Sequence, residues 1–548
     1  MFKNASEQLK SIIKNPLFVI PVVLLAVVMR IFLIEHFSLI YGRDISRELT
    51  AVYVKLDFIK NFDYSKYTIL DLPNIFRAPN LHWWLPEGPI ISTTWQNLSP
   101  LYYFTFAPFF ILTGFLYTTS IYISIFTNIL ALILMYFFTK KYFGLKTALI
   151  AIFIYAFSYF NIKESLAGLN HSFVPPFTML LLMGLYEIYK NKSNYIYLIS
   201  FAIVGLLSYH ASGFFIMPTL FFLLLYKIKL FKFKHYFFSV LILLTGLFPY
   251  YLQEKMNMNR NINIFMEYFV YKNSQLLKPI SFTENQFNFY SVFSTTFGQY
   301  IFPLTPIAVG YFLTGLLITF SVYKIYKKEK PIIYILLICY IITFSLSAKF
   351  YTIIFMGWWF YGMAMPMSII IFAYFISTIT NWNKKFGQIF ILMFICLFLI
   401  LNLNAIYKNY AVKAVQKYSE ARYIAKIIGE DTKSDNFELY FYTKLEGDSR
   451  MNTHTPFVYL VAYNSQSKDL FLKSELRPNK NNFKYINVYV VSDISNTNNL
   501  KFIEDVNNIM KTEYFEIKKP SLIYRKGDNS IYKFIFLNTK KQIDEQTK

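Results

Sequence analysis

The sequence predicts a polytopic α-helical membrane protein that carries a soluble α/β domain at its C-terminal end. Composition gives the first reason: 55% of the 548 residues are hydrophobic and 16% are charged, where soluble domains carry roughly 25% charged residues. The second is the placement of the lysines, which gather in short segments between long apolar runs. The third is a change of character after Tyr407, where the long apolar runs stop and strand-like alternation begins.

The N-terminal segment holds Lys3, Lys10 and Lys14 and is therefore expected in the cytoplasm. Residues 16–34 form the first span. The run is too long for a signal-peptide core and lacks a small-residue cleavage site, so it is retained. It delivers the polar stretch Tyr41-Gly42-Arg43-Asp44-Ile45-Ser46-Arg47-Glu48 to the outer face. Residues 61–97, with Pro73, Pro79, Pro86 and Pro89, form a structured outer loop in which His82-Trp83-Trp84-Leu85 lies at headgroup level.

Apolar runs follow at 122–138, 149–159, 173–189, 195–209, 214–226, 237–252, 303–323, 332–346, 360–379 and 389–406. With the first span they make about eleven crossings and put every major lysine cluster inside. Residues 100–117 are about long enough to cross. A crossing there would invert every later cluster, so this segment is expected to be membrane-embedded or re-entrant. The outer face then collects 44–97, 161–172, the Tyr209-His210-Ala211-Ser212 junction, 253–302 and 347–359, and receives everything after Tyr407.

Two domains follow: a transmembrane domain over 1–407 with a long outer loop over 41–99, and an extracytoplasmic α/β domain over 408–548. In the latter, 411–428 has helical spacing, while 437–442 and 485–491 alternate like strands. This tail holds no catalytic motif and reads as an accessory or acceptor-binding cap.

The formal charge of +23 would point to nucleic acid in a soluble chain. Here the lysines set topology, and no nucleic-acid partner is expected. Cys339 and Cys396 both lie in apolar runs, which argues against a disulfide framework or a cysteine metal site. The chain has no Gly-rich phosphate loop, no Walker lysine, no H-E-x-x-H and no G-x-S-x-G. Nucleotide-driven transport and serine hydrolysis therefore lack support.

Four charges in six residues, Arg43, Asp44, Arg47 and Glu48, stand at the edge of the first span. They fit a solvated helix start, with Asp44 near the N-terminus and Glu48 one turn on. They also fit a catalytic carboxylate at the membrane surface, with cations beside it for a lipid phosphate. His210 lies between two apolar runs. It is a satisfied interfacial residue or a neutral imidazole able to help hold a divalent cation that bridges phosphate oxygens.

In the island at 161–172, Glu164 offers a second carboxylate, Lys163 a phosphate contact and Asn170 a site contact, while Ser172 reads as a helix cap. Arg77, Lys255 and Arg260 are outer-face cations that either bind phosphate or stay solvated. Gly357-Trp358-Trp359-Phe360-Tyr361-Gly362 reads as an interfacial aromatic belt.

An acidic residue just past the first span, followed by a long outer loop that ends in Ser99-Pro100-Leu101-Tyr102-Tyr103, resembles the GT-C membrane glycosyltransferases. Within these it is closest to the protein O-mannosyltransferases and lipid A aminoarabinose transferases. Lys141-Tyr142-Phe143-Gly144-Leu145-Lys146-Thr147-Ala148, the island that follows, and a histidine like His210 after the fifth crossing fit the same pattern. The resemblance covers roughly the first 250 residues.

It implies a dolichyl- or polyprenyl-phosphate-linked sugar as donor, Asp44 as general base, and inversion at the anomeric carbon. The acceptor is a lipid, a glycan or a protein hydroxyl. The implied substrate contacts are Arg43, Arg47, Glu48, Asn97, Tyr102, Tyr103, Lys163, Glu164, Asn170 and Arg260, with His210 as a ligand of a possible divalent metal.

The chain departs from the family pattern at three places. Asp44 is followed by Ile45 rather than Glu, Asn97-Leu98 replaces a charged pair before the Pro-Leu-Tyr-Tyr run, and Asn170 stands where Asp is common. A multi-pass protein of the plasma (inner) membrane with its active site outside is the implied setting. The rival class is a transporter or lipid-linked sugar flippase, whose internal repeats and mid-membrane charges are not visible here.

Overall fold

A computed structural model of the chain describes residues 19–34, 90–91, 96–97, 101–113, 118–210, 213, 216–256, 301–303, 306–350, 362–382, 384–408, 426–428, 437–445, 448–453, 485–492, 516–526 and 529–537. The chain divides into two compact units. The first comprises Met1–Ile34, Phe62–Ile111 and Thr118–Val412; the second comprises Glu35–Asn61, Leu112–Tyr117 and Lys413–Lys548.

In the first unit the elements run α1 (Val19–Ile34), a two-residue pair β1 (Ile90–Ile91) and β2 (Gln96–Asn97), α2 (Leu101–Leu112), α3 (Thr119–Phe143), α4 (Leu145–Phe157) and α5 (Tyr159–Leu166). They continue with α6 (Val174–Tyr189), α7 (Ile196–Tyr209), α8 (Met217–Tyr226), α9 (Phe233–Met256), α10 (Ile307–Tyr326), α11 (Pro331–Phe350), α12 (Ala364–Trp382) and α13 (Lys384–Ile406).

Among the described residues five helices are long and apolar enough to cross a membrane, or six if the bent pair α4–α5 is one span. Shorter apolar helices, α1, α7 and α8 among them, accompany these. The protein is a polytopic helical membrane protein. At 12 residues, α2 rises about 18 Å and falls short of the roughly 30 Å hydrocarbon layer.

The interior is built on α3 and α6, which pack on each other and on α4, α7 and α12. Close approach of α6 and α7 depends on small residues. A Cβ on Gly184 would meet Ile199 at 2.6 Å, and one on Gly205 would meet the Phe177 ring at 2.3 Å. Around this core, α9 and α13 turn most of their surface outward, exposing Phe237, Leu244, Leu392 and Ile400. Such apolar exposure is the expected state of a helix facing lipid tails.

The lysine-bearing turns gather at one end of this unit. Glu187, buried on α6, accepts Lys141 Nζ at 2.5 Å and Lys192 Nζ at 2.7 Å, and takes the Tyr142 hydroxyl as well. Lys227 Nζ bonds Asn191 Oδ1 at 3.0 Å. Tyr186 donates to the Lys330 carbonyl at 3.1 Å, and the Lys330 ammonium lies over the rings of Phe143 (4.6 Å) and Tyr374 (4.8 Å).

The sequence reading treated 161–172 as a polar loop after a span ending at 159. The structure instead carries the helix on: α4 ends at Phe157, the chain bends by 55°, and α5 resumes at Tyr159. Ser158, in extended conformation (φ −64°, ψ 128°), makes the break. Ser172 is also not the expected cap. Its hydroxyl donates to the Leu169 carbonyl at 2.7 Å and meets Ser124 Oγ at 3.0 Å, while α6 starts after Phe173.

In the second unit, β3 (Phe437–Leu445), β4 (Asp448–Thr453), β5 (Tyr485–Ser492), β6 (Glu516–Lys526) and β7 (Asn529–Leu537) form one five-stranded sheet of order β4-β3-β5-β7-β6. Both segments read as strands in the sequence are central here, and β3 and β5 run parallel while the other neighbours are antiparallel. Pro520, which cannot donate to a ladder, falls on edge strand β6 at a register shift between Lys518 and Ser521. Most of 411–428, expected as a helix, lies outside the described residues.

Candidate functional site

The break at Ser158 frees backbone groups inside an apolar bundle, where unmet polar atoms cost several kcal/mol each. Side chains from α5 itself and from two other helices, α1 and α13, meet them. Asn161 donates to the Tyr155 carbonyl at 3.0 Å, and Arg30 Nη1 donates to the Ala156 carbonyl at 3.0 Å. On the far side, the Tyr159 N–H donates to Asn402 Oδ1 at 2.7 Å, and Asn402 Nδ2 donates to the carbonyls of Ile301 and Phe398.

Arg30 is fully buried and binds three further acceptors: Ser165 Oγ (3.0 Å), the Ala26 carbonyl (3.0 Å) and Asn128 Oδ1 (3.1 Å). Broken helices line the ligand sites of many transporters. Here the freed groups just named are taken by protein side chains, so the break shapes the chain.

What the break shapes is the course of α5. Glu164 on this helix is 3% exposed, and its Oε2 lies 2.8 Å from His171 Nε2. Glu164 Oε1 is buried and has no hydrogen-bond partner among the described residues. His171 belongs to a 3-10 turn (Asn170–Phe173) and presents its ring edge-on to His210, with centroids 6.2 Å apart.

His210 follows the last residue of α7 in extended backbone, its N–H bonded to the Leu206 carbonyl at 3.2 Å. Burial, with His171 adding to it, pushes the His210 imidazole down to about 3, so the ring is neutral at neutral pH. Asn170 Nδ2 donates to the Tyr209 carbonyl at 2.5 Å and ties the turn to the end of α7.

Helix α2 joins the same place. Thr105 Oγ1 meets the Tyr209 hydroxyl at 2.7 Å, and Phe106 packs against Phe173 at 5.3 Å. Phe173 stacks flat on Tyr209, centroids 4.4 Å apart and planes 7° off parallel. Three stretches far apart in sequence thus meet: α2, α5 with the 170–173 turn that follows it, and the end of α7. They lie at the end of α7 away from the lysine-bearing turns.

The structure brings together Glu164, Asn170 and His210 from the residues singled out in the sequence, and adds His171. Lys163 is half-buried on α5 beside Glu164. Tyr102 and Tyr103 lie on the first turn of α2, and Asn97 pairs with Ile90 across β1–β2. Asp44, Arg43, Arg47, Glu48 and Arg260 lie outside the described residues, as do Arg77 and the Trp358-Trp359 belt, while Lys255 falls on the last turn of α9.

His171 had a signal in the sequence: an ionisable group seven residues from Glu164 at a membrane boundary. Arg30, an arginine inside an apolar span, had a louder one.

Among the described residues no group of three or more His, Cys, Asp or Glu is placed to hold a metal ion. Glu164 Oε2 is committed to His171 and the two imidazoles meet edge to face. These residues do not form a metal centre by themselves.

This fold has solved counterparts. ArnT from Cupriavidus metallidurans, solved bound to undecaprenyl phosphate, superposes with a TM-score of 0.55 at 10% identity, over 95% of this chain and 98% of that one. The chain shares its fold with ArnT. The apo oligosaccharyltransferase of Archaeoglobus fulgidus aligns with a TM-score of 0.45 at 13% identity, over 77% of this chain and 59% of that longer one. No protein-family model and no curated protein matches the sequence. The resemblance to the GT-C glycosyltransferases, read from short motifs, holds at the level of fold.

Proposed function

We propose that this protein is an integral membrane glycosyltransferase that moves a sugar from a polyprenyl-phosphate donor to an extracytoplasmic acceptor hydroxyl, with inversion. One observation carries the reading: Glu164, Asn170, His171 and His210 converge with α2 at one end of an apolar bundle. That bundle has the fold of a protein solved with undecaprenyl phosphate bound. A lipid-linked donor needs such a layout, because its chain stays in the hydrocarbon while its phosphate and sugar reach the polar boundary.

In this reading Asp44, ten residues past the end of α1, is the general base. The acceptor oxygen attacks the anomeric carbon, the bond from that carbon to the phosphate oxygen breaks, and the acceptor proton passes to Asp44. The lipid phosphate leaves with the bonding pair. Arg43 and Arg47 hold Asp44 ionised and, with Lys163 and Arg260, meet the phosphate charge. Glu164 offers its open Oε1 to a substrate hydroxyl, with His171 fixing the carboxylate. Glu48, Asn97, Tyr102, Tyr103 and Asn170 complete the substrate contacts. The inner membrane is the setting, with this end of the bundle and residues 408–548 outside; the gathering of lysines at the other end of the bundle supports that orientation, since positive loops favour the cytoplasm.

The test is a purified full-length protein in lipid nanodiscs, given a panel of polyprenyl-phosphate hexoses and pentoses with hydroxyl acceptors. The reading expects free polyprenyl phosphate to form together with a new glycoside of inverted configuration. Failure with every donor, accompanied by movement of lipid-linked sugar between leaflets of reconstituted vesicles, would move the protein to the flippase class.

A further inference from the structure

Arg30 is the one feature of the transmembrane unit that a lipid-facing helix has least reason to contain. A guanidinium within a span is costly to bury, and a buried charge is weak support for stability as such. Its four acceptors lie on four elements: Ala26 on its own helix, Asn128 on α3, Ala156 at the end of α4 and Ser165 on α5. The contact to Ser165 is directional. Ser165 Oγ donates to the Ile162 carbonyl at 2.7 Å, which turns a lone pair toward Arg30 Nε–H at 3.0 Å. Ser165 is the residue next to Glu164. Arg30 stands four residues from the end of the helix that leads toward Asp44.

We propose that Arg30 is a positioning residue for the transfer site: through Ser165 and the Ala156 carbonyl it registers the first membrane helix against the short helix that bears Glu164. The proposal rests on the glycosyltransferase reading for its kinetic consequence and on geometry alone for its structural one. The planar fork of arginine can serve the Ala156 carbonyl, Asn128 and Ser165 together, and a lysine ammonium lacks that span. Asn402 supports the opposite side of the same break through Tyr159, Ile301 and Phe398, so it provides the control.

Transfer kinetics and thiol labelling test it together on the full-length protein. Arg30→Lys and Ser165→Ala should each lower kcat by roughly 10-fold or more, as small misplacements do, with KM for the polyprenyl-phosphate sugar nearly unchanged. The double variant should be no worse than Arg30→Lys, since both changes break one link. Asn402→Ala should lower the melting temperature without that kcat-against-KM split.

For the geometric arm, Glu164→Cys is made with Cys339 and Cys396 replaced by serine. The thiol at 164 should react faster with a maleimide once Ser165→Ala is added. If Arg30→Lys does not fold, Ser165→Ala decides both arms. A folded Ser165→Ala protein with wild-type kcat, or a thiol at 164 whose reactivity is unchanged by it, overturns the proposal. A wild-type protein that transfers no sugar overturns the glycosyltransferase reading instead and leaves the labelling arm to decide the role of Arg30.

Discussion

His210 shows how much a single buried side chain reports. Its ring is 4% exposed, stands against His171, and is held neutral by burial down to about 3 from an ordinary 6.5. The sign of the consequence is fixed. Above pH 6.5 the folded and unfolded chains both carry a neutral ring and pH has no leverage. Below it the unfolded chain takes up a proton that the folded chain refuses, so stability falls as pH drops, by at most about 1.4 kcal/mol per unit. Thermal unfolding in detergent at pH 7 and pH 5 should show a lower midpoint at pH 5, and His210→Gln should remove most of the difference; an equal pH dependence in both proteins would contradict this.

At this scale the sequence was partly legible. Glu164, Asn170 and His210 stood out because polar groups between apolar runs are conspicuous. Arg30 carried a signal as well, an arginine inside an apolar span, but the backbone break that it and Asn402 satisfy did not, because no local pattern announces its position.

Among the elements, the α4–α5 pair and the α6–α7 pair position the site in different ways. The first relies on the bend at Ser158, which aims Glu164 toward the 170–173 turn. Sequence alone read α4 with a late start and read α5 as loop, since Asn161, Lys163, Glu164 and Ser165 break the apolar pattern. Those residues are polar because they serve the interior, and helix formation is compatible with every one of them.

The α6–α7 pair relies on contact without space for a side chain at Gly205. A methyl there must displace Phe177, whose ring stacks on Tyr209 at 5.6 Å, directly before His210. Gly205→Ala should therefore destabilise the protein by about 1–3 kcal/mol, the usual cost of overpacking, although alanine is the better helix former. Denaturation of the two proteins side by side measures it, and a stability gain would show that the helices separate freely.

For the whole molecule, topology follows from charge. Lysines on turns distant in sequence, at 141, 192, 227 and 330, meet at one end of the transmembrane unit, while His210 stands at the other end of α7. The positive-inside rule then predicts that Lys140→Cys, in a background without Cys339 and Cys396, resists an impermeant thiol reagent in intact cells, whereas Lys548→Cys reacts. The reverse pattern would invert the orientation and put the candidate site in the cytoplasm.

The fold class was legible because apolar runs and lysine spacing are global signals that survive local noise. The convergence of α2 with α5 and α7 was not, because it depends on pairings such as Thr105 with Tyr209, separated by 104 residues.

The central claim is sugar transfer with Asp44 as base, and the rate of a single turnover with Asp44→Asn tests it most directly. Asparagine keeps the shape and removes the proton acceptor. With purified full-length protein, a polyprenyl-phosphate sugar that the wild type uses and a hydroxyl acceptor, transfer should fall by roughly 10²–10⁴-fold, the usual worth of general-base catalysis. Donor binding should persist, and Glu48→Gln should cost less. A folded Asp44→Asn protein that transfers sugar at the wild-type rate would contradict the account at its centre.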